Sequence, residues 1–92
     1  MITVELPRAL APYAGSKPII ELEDRCSNVG EALTALASRF PGVGDRVVDE
    51  RGAVRQHVNV FVDEENIRFR EGLRTPVSEG SNVLIVAAVS GG

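Results

Sequence analysis

The 92-residue sequence predicts an α+β domain: a mixed sheet of four to five strands with one main helix packed across one face. Three observations carry that expectation. Short segments alternate apolar and polar residues, first near the N-terminus and again around residue 60. A single stretch after Asn28 carries apolar residues at helical spacing. The last segment contains an unbroken apolar run, "VLIVAAV", of the kind a central strand shows.

Taken in order, Ile2, Val4 and Leu6 alternate with Thr3 and Glu5, the two-residue period of a strand with one wet face. Pro7 ends it. "RALAPYAGSKP" reads as a loop with room for one helical turn, closed by Gly15 and Pro18. "IIELED" alternates again, with Ile20 and Leu22 inward and Glu21 and Glu23 outward, so the first two strands form an antiparallel hairpin. Asn28 is a good N-cap, and Glu31 stands where a capping box needs its acidic residue. Val29, Ala32, Leu33, Leu36, Ala37 and Phe40 then form one apolar stripe, which Pro41-Gly42 should terminate. "VGDRVVDERGAVRQ" has space for a short helix and a turn.

In "HVNVFVDEENIRF", Val58, Val60 and Val62 share one face, and His57, Asn59 and Phe61 the other. "DEEN" reads as a polar turn, followed by a short strand with Ile67 and Phe69 on one side and Arg68 and Arg70 on the other. "REGLRTPVSEGSN" is a loop. The closing run predicts a strand buried on both sides, lying between earlier strands and beside the first. Residues 1–89 are read as the folded domain and 90–92 as a flexible tail.

Composition narrows the function. The formal charge is −3, which disfavours nucleic-acid binding through a broad basic surface. No run of about 18 apolar residues exists, so no membrane span is expected. Cys26 is the single cysteine, which excludes an internal disulfide and suits a reducing cytoplasm.

No catalytic set stands out. Cys26 has no histidine or second cysteine near it in sequence, and His57, the single histidine, has no serine or cysteine placed to use it as a base. Metal-binding spacings are missing. "PGVGD" looks like a phosphate loop but follows a helix rather than a strand, which a nucleotide site requires. The acidic groups fall at turns and polar faces, where solvated charge is the default.

One group is left, the carboxylate of Gly92. Ser90, Gly91 and Gly92 follow the last strand and, extended, reach about 10 Å beyond the sheet. Glycine lacks a Cβ, so such a tail can thread a narrow channel and leaves its carbonyl carbon open to attack. Ordering it costs about 1–2 kcal/mol per residue, so binding energy must come from a docking face. If the helix covers the Val58, Val60 and Val62 side, then Phe61, Leu84 and Val86 point away from it and form that face. Leu10 and Tyr13, from the first loop, are the residues that would otherwise cover them.

The chain resembles the ubiquitin-like sulfur-carrier proteins of the β-grasp fold over essentially its whole length. The matching segments are "ITVELP", "NVGEAL", "HVNVFVDEENIRF", "LRTPVSEG" and the closing "AAVSGG". The family includes the small subunit of molybdopterin synthase, a thiamine-pathway carrier and a carrier for cysteine biosynthesis, and the last is the nearest likeness. Gly80-Ser81 stands where many members have Gly-Asp, and Ala87-Ala88 where many have proline before the tail.

The resemblance implies that an ATP-consuming enzyme adenylates the Gly92 carboxylate and that a sulfur donor then converts it to a thiocarboxylate. It implies an acceptor synthase; in the cysteine pathway this is a pyridoxal-phosphate enzyme, and a metalloprotease then releases the product. Molybdopterin, thiazole, tRNA and thiosugar synthesis are the alternatives. The carrier itself would be a cytoplasmic co-substrate, monomeric when free, with no bound cofactor or metal and no catalytic residue of its own. Two other readings stay open: a modifier joined to lysines through the same carboxylate, and a plain interaction module with an inert tail.

Overall fold

The computed structural model describes residues 1–87. Within them the chain runs β1 (Ile2–Glu5), β2 (Ile19–Leu22), α1 (Val29–Arg39), α2 (Pro41–Val47), β3 (Val58–Val62), β4 (Glu65–Asn66) and β5 (Asn82–Ala87). The strands form one sheet in the order β2-β1-β5-β3-β4. β5 therefore inserts between the two hairpins, as the apolar closing run predicts. It is parallel to β1 (Val4 beside Val83) and antiparallel to β3 (Val60 beside Ile85).

Alternation decides which side chains meet the helices. Ile2, Val4, Ile20, Leu22, Val58, Val60, Val62, Val83 and Ile85 all turn to one side and are buried. Val29, Ala32, Leu33 and Leu36 of α1 close over them, joined by Val43 and Val47 of α2. Burying a side chain of this size contributes about 1.5–3 kcal/mol, so this layer is the main source of stability. The stripe on α1 is narrower than its spacing suggests, because Ala37 and Phe40 are only half-buried.

The helix start is capped as expected, with one change. The Glu31 N–H donates to Asn28 Oδ1 at 2.9 Å, but the Glu31 carboxylate accepts from the Ser27 N–H at 2.7 Å, one residue before the cap. The loop before β5 is clipped to this same turn. Val29 N–H donates to the Thr75 carbonyl (3.0 Å) and Val77 N–H to the Ser27 carbonyl (3.1 Å). Thr75 is fully buried there; its hydroxyl donates to the Gly72 carbonyl at 2.6 Å and accepts from the Glu71 N–H at 3.1 Å. Ser81, also buried, accepts the Ser78 N–H on its hydroxyl at 2.9 Å.

Three expectations are corrected. First, Pro41-Gly42 ends α1 but opens a second helix at once. Phe40, at φ −134° and ψ 81°, breaks the first, and Pro41 occupies the first helical position, where its missing N–H is harmless. Gly44 explains the "PGVGD" glycines in packing terms, since a Cβ there would stand 2.4 Å from the Ala37 Cβ. Second, the short strand is Glu65–Asn66, not Ile67–Phe69. Only Asp63 and Glu64 form the turn, at φ 48° and 76°, the left-handed pair that a tight two-residue hairpin demands. Asn66 then accepts the Arg68 N–H on its side chain at 2.9 Å and tips the chain into a 3-10 turn, which buries Ile67 and leaves Phe69 86% exposed. Third, β5 is not buried on both sides. Val83 and Ile85 are 0% exposed, whereas Leu84 is half-buried and Val86 is 38% exposed, because both helices lie on one face.

Candidate functional site

The uncovered face of the sheet gathers the residues that face away from the helices. Phe61 lies opposite Leu84, and Asn59 opposite Val86, on the paired strands β3 and β5. Both Phe61 and Leu84 are half-buried by one another and their neighbours. Side-chain hydrogen bonds frame them. Asn82 Nδ2 donates to Glu5 Oε2 at 2.9 Å on one side, and Asn66 Nδ2 to Asn59 Oδ1 at 3.3 Å on the other. The result is an apolar centre with a polar border, the anatomy of a protein-binding patch.

Phe61, Leu84 and Val86 are thus brought together on the open side. Leu10 and Tyr13 do not cover them. Leu10 is buried in the core, and Tyr13 sits against Gly42 of α2 with the Arg46 guanidinium 3.7 Å from its ring centroid. One member of the face escaped the sequence reading. Ile19 is 52% exposed on β2, opposite Glu5 of β1, which stands between it and Leu84. Its signal was present in the alternation that sends Ile20 inward, because the residue before an inward one must point out. Phe69 was also missed as an exposed aromatic, for the reason given by the 3-10 turn.

β5 leads out of the described fold at Ala87, which pairs with Val58 at the start of β3. Ser90, Gly91 and Gly92, the tail residues singled out from the sequence, lie outside the described residues.

The other candidates do not assemble into chemistry. Cys26 is half-buried, and burial, then Asp24, then Glu31 push its thiol up from the ordinary value, so it stays protonated at neutral pH. It lines a cavity of about 650 Å³ with Asp24, Arg25, Ser78 and Glu79, at the end of the sheet opposite Ala87. His57 is exposed in a shallow cavity with Asp45, Arg46 and Arg55, with no serine or cysteine among its neighbours there. Among the described residues no group of three His, Cys, Asp or Glu side chains is placed to hold a metal ion. No helix among them is long and apolar enough to cross a membrane.

Known proteins are similar to this chain in sequence and in shape. The model of the ThiS family matches residues 4–92. The sulfur carrier protein CysO of Mycobacterium tuberculosis is 30% identical over 93 residues, covering 99% of this chain and 98% of that protein. Small archaeal modifier protein 3 of Haloferax volcanii is 30% identical over 85% of this chain and 84% of its own length. Among solved structures, the Amycolatopsis orientalis BexX/CysO complex holds a chain that superposes with a TM-score of 0.89 at 32% identity, with 100% of both chains covered.

Proposed function

The chain belongs to the ThiS family of ubiquitin-like, β-grasp sulfur carriers, and on that premise we propose that its working group is the Gly92 carboxylate. A carboxylate oxygen attacks the α-phosphate of ATP in an activating enzyme and pyrophosphate leaves. A sulfur donor then displaces AMP from the acyl adenylate, and the thiocarboxylate so formed delivers its sulfur to a biosynthetic acceptor. The folded body is a co-substrate that presents the tail. Phe61, Leu84 and Val86 supply the docking energy that offsets the ordering of the tail.

The observation that carries this reading is the adjacency of two features. The open apolar face lies on β3 and β5, and β5 is the strand that leads toward residues 88–92. Ala87, the residue before them, is on the same strand as Leu84 and Val86 of the face that would grip the partner. The CysO name borne by the Mycobacterium relative favours cysteine as the product. The BexX/CysO complex favours a stable encounter between a carrier and a second protein.

The test is the intact mass of the protein isolated from its source cells. The expected species is heavier than the carboxylate form by about 16 Da, one sulfur for one oxygen. Removal of Gly91 and Gly92 should abolish adenylation and leave folding unchanged. A truncated chain that is still adenylated, or a native chain that extends past Gly92 untrimmed, overturns the proposal.

A second reading is favoured by the relative named as an archaeal modifier. There the same activated carboxylate is joined to lysines of other proteins. Covalent conjugates that survive reduction and denaturation on a gel, with no thiocarboxylate species, would select it.

A further inference from the structure

The two ends of the sheet differ in charge. At the end where β1 starts with Ile2 and β2 finishes with Leu22 lie Glu23, Asp24, Asp63, Glu64 and Glu79, with Arg25 and Arg39 among them; Glu79 pairs with the Met1 amine, and Asp63 accepts the Asn82 N–H on its side chain. At the other end, where β5 leaves, basic residues come from several segments, with Asp45 beside Arg46 and Arg55 and Asp49 also close to Arg55. Arg8 follows β1, whose Glu5 is beside Leu84. Lys17 precedes Pro18, whose carbonyl accepts the Leu6 N–H at 2.7 Å. Arg55 and His57 lead into β3, whose Val58 pairs with Ala87.

The arginines at this end are held by uncharged acceptors. Arg68 Nη2 donates to the Gln56 and Val58 carbonyls at 3.1 and 3.3 Å, along the β3 edge that the short β4 leaves open. Arg55 Nε donates to the Asp45 carbonyl at 2.9 Å, and Arg46 Nη1 to the Gly42 carbonyl at 3.0 Å while it stacks on Tyr13. Among the described residues none of Arg8, Lys17, Arg46, Arg55 and Arg68 makes an ion pair. A guanidinium bound to carbonyls keeps its full charge and has N–H groups to spare, and its side chain is already ordered.

We propose that the end of the sheet from which β5 leaves is a basic docking collar, built by Arg8, Lys17, Arg46, Arg55 and Arg68, that recognises an acidic rim on the protein that receives the tail. This rests on the sulfur-carrier reading above. A protein surface fits better than a small anion, because the cations are spread over separate segments and Asp45 lies among them. A nucleic acid is disfavoured by the net charge of −3. The acidic opposite end is repelled by the same rim, so the charge separation turns the molecule tail-first during approach.

The test uses the adenylating enzyme purified from source cells by the ATP–pyrophosphate exchange it performs with the unaltered chain. Exchange is measured against carrier concentration for R8E/K17E, for R55E/R68E and for the charge-matched R25E/R74E. Arg8 and Lys17 make no side-chain hydrogen bond or ion pair among the described residues, so that variant is expected to fold as the parent does.

At low salt the half-saturating concentration should rise about tenfold in both collar variants, with the maximal rate within about twofold. The difference should shrink severalfold at about 0.5 M salt, where screening is strong. R25E/R74E should stay within about twofold of the unaltered chain. Unchanged half-saturation in both collar variants overturns the collar and leaves the carrier reading standing. An equal rise in R25E/R74E overturns it too, because total charge is then the cause. No exchange with the unaltered chain overturns the collar and the carrier reading together.

Discussion

The two faces of β5 are built from similar residues and do opposite work. Val83 and Ile85 are sealed under α1 and α2, while Leu84 and Val86, one residue along each time, lie on the uncovered side with Phe61. Nothing in the side chains separates the two sets. What separates them is that this chain has helices for one layer only, and both fall on the same side. Apolar character in a strand therefore marks either a core or a contact surface, and topology decides which.

Breaking the covered side should have the largest effect. Ile85→Ala removes a side chain that is 0% exposed, and a loss of about 2–5 kcal/mol in chemical denaturation is expected. A loss under about 1 kcal/mol would mean that the helix layer yields and refills the space. Next comes the clip that positions that layer. Thr75→Val leaves the Glu71 N–H without its acceptor and removes one of the two donors to the Gly72 carbonyl, which keeps the Thr75 N–H, at a cost of about 1–3 kcal/mol in the same assay.

The open side should respond differently. Val86→Asp is expected to cost at most about 1 kcal/mol in stability, mostly from strand propensity. Its main effect should be on partner binding, read as a rise in the half-saturating concentration for adenylation. Global unfolding of this variant would assign Val86 to the core and dissolve the contrast between the faces. The smallest effect sharpens the difference between surface and site. Cys26 should react with iodoacetamide at neutral pH more slowly than a free thiol, with the rate rising only above the ordinary thiol range, because its charged form is disfavoured. Faster alkylation would give that cavity a chemistry it otherwise lacks.

Most of the architecture was legible because it rests on local periodicity. The alternation of Ile2 and Val4, of Ile20 and Leu22, and of Val58, Val60 and Val62 named the inward face of each strand correctly. Asn28 and the stripe from Val29 to Leu36 placed α1. The misreadings share a cause. Pro41 reads as a stop in the sequence, though proline also begins helices, and only the contact of Gly44 with Ala37 shows why a glycine-bearing helix follows at once.

The alternation of Ile67 with Phe69 suggested a strand, but the Asn66 side chain competes for the Arg68 N–H and bends the backbone away. The continuous apolar run of β5 carries no period, so it could not report that one side would stay open. The open-face residues Phe61, Leu84 and Val86 follow from what a single helix layer fails to cover, and the same alternation that turns Ile20 inward turns Ile19 out.

β1 and β5 are parallel neighbours, so Met1 and Ala87 stand at opposite ends of the sheet's centre. An affinity tag, fluorophore or bead attached at Met1 hangs off the far side and leaves the outgoing strand clear for single-molecule or surface work. The same layout works against circular permutation, since a linker from Ala87 back to Met1 would have to run the length of the sheet.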